Sequence, residues 1–342
     1  MIKILGAGIS GLTAAINLAK AREEVIVYEK CSYVGEKLNP NLQVFENWVT
    51  TEDILEKLNE FGIQINFSVP FRKIVVWSPG LKNKAEIIGD TKPVCYGVIR
   101  GGKKSFEFEL AKQAKKCGAK IVTNFRRKVK PNIDASGSKR ADGIAYGKVF
   151  KGKFNSEIIG FFDYRYAPKG YLYIFPHSHK IATIGIVTQP HQNPKLLLQK
   201  ALLEIPMLKE VVSNCEFLHE FSGYANFQIP KTAISKGTLL VGEAAGFQDA
   251  AFGAGMRYAI YSGYLAAKSI IERKNYDDLW KKAFLHELQK TKKIRYVLDR
   301  ANNIFLDKLI QKLGKRSIDE FASIWQSDQK MIYFALRSFL RI

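Results

Sequence analysis

The chain has 342 residues, 53 Lys and Arg against 32 Asp and Glu, and a net charge of +21 at pH 7. That length can bury a large core and points to two domains. The scattered cysteines (Cys31, Cys95, Cys117, Cys215) form no CxxC pair and have no histidine at ligand spacing, which argues against a structural metal or disulfide framework and fits a reducing cytosol; no run approaches about 18 uninterrupted apolar residues, so no spanning helix is expected.

Ile2-Lys3-Ile4-Leu5 predicts a strand, and because it begins at once no leader is expected ahead of it. Gly6-Ala7-Gly8-Ile9-Ser10-Gly11 predicts a glycine turn opening a helix, and Val25-Ile26-Val27-Tyr28 a second strand ending at Glu29. This is a dinucleotide fingerprint in a βαβ setting. Gly6 allows the tight turn, Gly8 lets backbone approach a pyrophosphate, and Gly11 lets the helix pack on the sheet. The helix start, with Ser10, offers free N–H groups to phosphate. Glu29, followed by Lys30, is placed to accept from a ribose 2′-OH and would repel a 2′-phosphate. FAD or NAD is therefore favoured over NADP.

An irregular stretch is expected from Gly35 to Trp48. A helix after Thr50 places Ile54, Leu55, Leu58 and Phe61 on one face and stops at Gly62. Residues 64–99 read as strand-rich, with turns at Ser78-Pro79-Gly80 and Gly89-Asp90. A helix from Ser105 to Cys117 ends at Gly118, and Lys120–Thr123 returns as a strand to the first sheet. A short strand, Ile133-Asp134, closes into Ala135-Ser136-Gly137. Residues 144–188 alternate as strands, including Phe161–Tyr166, Tyr171–Phe175 and Ile181–Val187. A helix from Pro194 to Leu203 and extended chain over 217–229 follow.

Thr238–Val241 predicts another buried strand, closed by Gly242-Glu243-Ala244-Ala245-Gly246. Gly253-Ala254-Gly255 then opens a helix from Met256 to about Arg273, with Ala259, Gly263, Ala266 and Ala267 giving it a small-residue side. An acid at that strand end suits a ribityl hydroxyl or pyrophosphate contact. The free helix N-terminus suits the pyrimidine edge of an anionic reduced flavin. Residues 276–342 read as mostly helical. The last of them, with Ile332, Phe334, Ala335, Phe339 and Leu340 among Arg337 and Arg341, form either a docked terminal helix or one lying in a membrane interface.

The fold class is α/β: a Rossmann-like domain, with a parallel sheet and helices on both faces, interleaved with a β-sheet domain and a helical C-terminal region. The nucleotide domain is discontinuous (1–63, 97–143 and 236–275), the β-rich substrate or cap domain takes 64–96 and 144–235, and 276–342 is the helical region. Charge concentrates between Arg72 and Lys153, where 21 Lys and Arg face 6 Asp and Glu, a net of +15, densest at Arg126-Arg127-Lys128-Val129-Lys130. Such a stretch meets anionic lipid or nucleic acid, or is a solvated Lys-rich surface. Phe71, Trp77, Tyr96 and Phe125 interleave with it as base-stacking candidates in an RNA-binding or scaffold reading. They sit at strand-like core positions and no nucleic-acid module is recognised, so no nucleic-acid partner is expected.

Several motifs then arrive in one order: Gly6 to Glu29; Arg100 ahead of Phe106–Leu110 and Gly118-Ala119; Asp134-Ala135-Ser136-Gly137; Gly170-Tyr171-Leu172-Tyr173-Ile174-Phe175-Pro176; and Gly242 to Met256. Over residues 1–273 the chain resembles the geranylgeranyl reductase family, flavoproteins related to the aromatic-hydroxylase-type FAD oxidoreductases. The resemblance implies FAD, held by Gly8, Gly11 and Glu29 at the adenine end. It implies Arg100 at the pyrophosphate or ribityl region, and counts Asp134, in the Asp134-Ala135-Ser136-Gly137 segment, among the cofactor-binding residues. It places Gly242 and Glu243 beside the ribityl and phosphate, and Gly253, Ala254, Gly255 and Met256 at the flavin ring. It also implies a sheet over the ring, with Tyr171, Tyr173, Phe175 and Pro176 lining an apolar tunnel.

The implied reaction is reduction of C=C bonds in an isoprenoid chain or prenylated lipid by hydride from reduced flavin. An oxygen-consuming hydroxylation of an aromatic substrate is the alternative on the same fold. Glu243 stands where the family has Asp, Tyr173 where it has Trp, and His177 where Lys is common; the Cys-Gly segment after the first βαβ is absent. The proton donor is open, with Tyr173, His177 and His179 as candidates. With no second GxGxxG, the electron donor is a transient NAD(P)H or a small electron carrier. The expected location is cytoplasmic, with peripheral contact at an anionic membrane surface.

Overall fold

The computed structural model describes residues 1–49, 52–65, 68–138 and 140–327. In chain order the first elements are β1 (Ile2–Leu5), α1 (Ile9–Lys20), β2 (Val25–Tyr28), β3 (Asn41–Glu46), α2 (Ile54–Glu60), β4 (Val69–Phe71), β5 (Lys73–Trp77), β6 (Lys84–Ile88) and β7 (Cys95–Arg100). Next come α3 (Phe106–Lys116), β8 (Lys120–Val122), β9 (Ile133–Asp134), β10 (Gly143–Lys151), β11 (Ile158–Phe161), β12 (Tyr171–Ser178) and β13 (Ile181–Thr188). The chain continues through α4 (Pro194–Glu204), α5 (Pro206–Ser213), β14 (Glu216–Ala225), β15 (Ile234–Ser235), β16 (Thr238–Leu240) and α6 (Met256–Ile271). It finishes with α7 (Tyr276–Trp280), α8 (His286–Arg300), α9 (Asn303–Leu313), β17 (Lys315–Ser317) and α10 (Ile318–Gln326).

These strands form three sheets. A six-stranded sheet runs β15-β16-β9-β1-β2-β8 and is parallel apart from the β15–β16 hairpin. Such a sheet needs cover on its faces, and its short apolar strands are packed by α1, α3 and α6 around Ile4, Val27, Leu12 and Ile260. The second, eight-stranded sheet runs β14-β10-β13-β12-β11-β5-β6-β17. One of its faces carries Leu172, Ile174 and Ile184 into a core with Leu198 and Leu202 of α4 and Leu208 of α5. This is the mixed α/β architecture read from the sequence.

The third sheet, β3-β7-β4, lies between the other two. Side chains alternate across a strand. Phe45 and Val98 therefore join the nucleotide-side core, while Leu42, Val44 and Cys95 join a core with Ile74, Ile158 and Phe175. Being apolar on both faces, β3 shows no clean alternation, and so the 35–48 stretch reads as irregular when it holds a strand. The expected Phe161–Tyr166 strand is also corrected: pairing stops at Phe161. Asp163 breaks it by taking the Arg165 and Gly80 N–H groups (each 3.1 Å) and the Asn303 amide (3.0 Å), which turns the chain. Within the C-terminal region β17 pairs in parallel with β6, a contact that no local pattern encodes. Thr50 and the amphipathic tail from Ile332 to Arg341 lie outside the described residues.

Candidate functional site

The first turn is held by backbone contact. Gly6 has φ +99°; a Cβ on it would sit 2.4 Å from the Ala135 carbonyl oxygen, and one on Gly11 would sit 2.1 Å from the Gly6 carbonyl oxygen. Gly8 is open, since a Cβ there would meet nothing within 4 Å. Gly8 is also the N-cap of α1, and no side chain caps that helix. At the other motif Gly255 is the N-cap of α6, again with no side-chain cap, and a Cβ on Gly253 would meet nothing within 4 Å. By contrast α2, α3, α4, α7, α9 and α10 each start at an Asp, Ser or Asn whose side chain accepts a helix N–H. The two glycine-led helices thus keep their N–H groups and partial positive charge for an anionic ligand. Gly263 packs α6 onto α1, its Cβ position 2.2 Å from the Ser10 carbonyl oxygen.

Between these ends the predicted residues fall into contact in sequence. The Glu29 carboxylate accepts the Ala7 N–H at 2.9 Å and the Cys31 N–H at 3.0 Å, fixing it beside the glycine turn. Lys30 is exposed next to it. Gly242, at φ +58°, brings its α-carbon face against Ser10 Oγ (2.8 Å from a Cβ there), and a Cβ on Gly137 would lie 3.3 Å from Glu243 Oε2. Burial raises the Glu243 carboxyl, against the pull of Lys37 and Arg100. Arg100 itself donates to Glu107 and, at 2.9 Å, to Gln43 Oε1. Asp134 does not join them: its carboxylate accepts its own turn's Ser136 N–H at 2.9 Å. Met256 is buried in the nucleotide-side core.

At the far end β12 turns Tyr171, Tyr173 and Phe175 to one side, ring to ring at 6.1 and 4.3 Å. Tyr171 donates its hydroxyl to the Phe252 carbonyl at 2.6 Å, tying the strand to the loop that leads into α6. The Tyr173 ring covers Gly185, where a Cβ would approach to 2.3 Å. Pro176 is buried by alternation on the other face. His177 shares a 2.6 Å hydrogen bond with Thr183 Oγ1, and burial lowers it to about 4, so it is neutral near pH 7. His179 contacts the Phe154 carbonyl at 3.3 Å, away from this wall.

Sequence reasoning missed the groups that complete the wall. Phe252 stacks on Trp325 (5.8 Å), and Trp48 meets Phe321 (5.7 Å), bringing α10 over the aromatic face. The Trp48 and Trp325 indole N–H groups are buried without a partner. Nearby Arg257 binds both oxygens of Glu287, at 3.0 and 2.8 Å, and its charge acts on the carboxyls of Glu46 and Asp249. An Asp between two glycine motifs was a visible signal for Asp249; Glu46 had none.

The residues fit a flavin dinucleotide. Two uncapped helix starts, two glycines with open space and a chain of contacts from Glu29 to Gly255 lead to an aromatic wall. The comparisons agree with this. Residues 4–40 match the NAD(P)-binding Rossmann-like domain family. An uncharacterised protein of Methanocaldococcus jannaschii is 23% identical over 252 residues, covering 66% of this chain and 62% of that protein. A digeranylgeranylglycerophospholipid reductase of Methanospirillum hungatei is 25% identical over 182 residues, 46% of this chain and 42% of the relative. The alignments thus span under two thirds of either relative's length.

Among solved structures, a geranylgeranyl bacteriochlorophyll reductase-like protein from Thermoplasma acidophilum has the same fold, with TM-score 0.80, 18% identity and coverage of 99% of this chain and 96% of that one. A flavin-dependent brominase variant matches at TM-score 0.67 and 16% identity (100% and 99% covered), and a halogenase variant in complex with FAD at 0.64 and 12% (99% and 86%). The resemblance read from the motifs therefore holds, and the cofactor it implied, FAD, is the one bound in that halogenase. Among the described residues no helix is long and apolar enough to cross a membrane.

Proposed function

We propose that this chain is an FAD-dependent oxidoreductase that saturates C=C bonds of an isoprenoid chain. The observation that carries the reading is the junction of Tyr171 with Phe252: the aromatic face of β12 is fastened to the loop that opens α6, so an apolar wall stands beside the glycine-led helix start. When bound, reduced FAD supplies hydride. The chain's own residues do the rest. Gly8 and the α1 N–H groups take the pyrophosphate, Glu29 sets the adenosine end, and Arg100 and Lys37 place positive charge at Glu243. Tyr171, Tyr173 and Phe175 give the substrate a dry, flat surface without a charged group of their own, which suits a polyprenyl chain and excludes water.

A second reading, oxygen-dependent hydroxylation or halogenation of an aromatic compound, is supported by the brominase and halogenase likeness and by the unpartnered indoles of Trp48 and Trp325. The basic stretch supports peripheral docking on anionic lipid, where each well-placed Lys or Arg contributes about 1 kcal/mol. Electrons would come from NAD(P)H or a small carrier. The test is anaerobic incubation of the reduced protein with geranylgeranyl lipids, followed by mass spectrometry. Products heavier by a hydrogen pair per bond support the reading; unchanged lipid, with an aromatic substrate consumed only in air, supports the second.

A further inference from the structure

Trp48 and Trp325 come from distant parts of the chain and both meet Phe321, with ring centroids 5.7 and 6.4 Å from it. Trp325 also stacks on Phe252 at 5.8 Å, and Phe252 meets Tyr171 at 6.2 Å. From Tyr171 the row continues along β12 through Tyr173 to Phe175, which packs on the same core as Trp48 and Phe321. The aromatic side chains therefore close a circuit. The β12 row is one arc, and α10 with Trp48 and Phe252 is the other.

The second arc is held at both ends of α10. At its start β17 pairs with β6, Ile318 is fully buried, and Ser317 and Glu320 cap one another at 3.0 and 3.1 Å. Thr91 adds a hydrogen bond to Asp319 at 3.1 Å. At its end the Lys290 ammonium donates to the Trp325 carbonyl at 2.9 Å and lies 5.5 Å from the indole ring. Trp325 is thus fixed in place with 5% of its surface exposed. Yet its indole N–H, like that of Trp48, is buried with no acceptor. Trp280, in the nucleotide-side core, gives its indole N–H to Asp277 at 2.7 Å, as buried tryptophans ordinarily do. A buried donor without an acceptor is costly. Water would need several polar partners to stay there, and Tyr171 already spends its hydroxyl on the Phe252 carbonyl.

We propose that Trp325, with Trp48, forms an oxygen-binding subsite in the aromatic wall, where the indole N–H groups donate to a neutral oxygen (ether, ester carbonyl or hydroxyl) of the isoprenoid substrate. This rests on the alkene-reductase reading. An indole is a single uncharged donor, whereas a diphosphate is matched by Lys and Arg. The buried cations of this end are already engaged, Lys290 with the Trp325 carbonyl and Arg257 with both oxygens of Glu287. With its oxygen held at one point, the distance along the chain decides which C=C bond meets the hydride. Trp325 is then a specificity-determining residue that no local pattern in the sequence announces.

Indole ¹⁵N–¹H NMR of the protein as purified tests the subsite, with signals assigned from W325F and W48F. Geranylgeraniol or its methyl ether should move the Trp325 and Trp48 signals downfield and leave that of Trp280 in place. An oxygen-free polyene of the same length and geranylgeranyl diphosphate should not. In turnover, W325F should cut the preference for the ether over the oxygen-free polyene about tenfold. Should W325F misfold, two responding signals among the chain's four tryptophans, one of them lost in W48F, give the same answer. Signals that ignore geranylgeraniol, or that move equally with the polyene or the diphosphate, overturn the proposal. Movement with a phenol alone also overturns it and hands the donors to an aromatic substrate. Signals that move with geranylgeraniol while its double bonds stay intact keep the subsite and fail the reductase reading.

Discussion

At the nucleotide end of the site, ligand binding is prepared by leaving side chains out: Gly6, Gly8 and Gly11 shape a turn in which backbone N–H groups are the binding atoms. At the aromatic end, side chains from β3, β12, α6, α8, α10 and the 246–255 loop crowd into one layer of rings and charges. The turn of the first end is spelled by six consecutive residues, Gly6 to Gly11, held against Ala135 and Glu29. The second exists only once the three sheets are stacked. Binding a common cofactor needs backbone geometry that local sequence can fix, whereas choosing a substrate needs surfaces contributed from across the fold.

The sharpest break of the second region is Arg257→Leu. It strands Glu287 with Glu46 and Asp249 in the interior, and losing one partner of a buried pair costs about 3–5 kcal/mol; denaturant unfolding should show a loss of that size. The first region breaks differently. Gly8→Asp fits sterically, since a Cβ there meets nothing within 4 Å, and its φ of −80° suits any residue. It should leave the melting temperature near wild type, or slightly higher through the new cap, while flavin content of the purified protein collapses.

Within the second region the titrating groups pull the pH dependence of stability in opposite directions. Glu46 and Asp249 are raised from 4.5 and 3.8 to about 7 and about 6 by burial. The folded protein therefore holds more protons than the unfolded chain, and their contribution is full below the unfolded values and lost as pH rises through the folded ones. His177 runs the other way: lowered from 6.5 to about 4, it contributes stability above 6.5 that is lost as pH falls. Melting curves of E46Q should flatten on the alkaline side of pH 5, and those of H177N on the acid side of pH 6, relative to wild type. The smallest effect comes from a helix that is capped. Ser105 accepts the Phe108 N–H, and Ser105→Ala should lower stability by about 1 kcal/mol with flavin content unchanged.

What the sequence made legible follows the same divide. The β1–α1–β2 unit, the Ser105-capped helix and the Gly253–Gly255 helix start carry local signals that survive folding unchanged. Strand β3 was illegible because both of its faces are buried, and β17 because it pairs with a strand more than two hundred residues earlier. Tyr171 and Phe175 could be placed on one face by alternation, but Phe252 reaches Tyr171, Trp325 reaches Phe252 and Phe321 reaches Trp48 only through tertiary packing. Glu46 reads as an ordinary polar residue until the sheet that covers it is in place.

The measurement that tests the account most directly is anaerobic single turnover followed by flavin absorbance. The protein as purified should carry FAD, and after reduction its flavin should be reoxidised rapidly on mixing with a geranylgeranyl lipid and no oxygen. Flavin that ignores the lipid and reoxidises only in air, or a protein that binds no flavin, would contradict it.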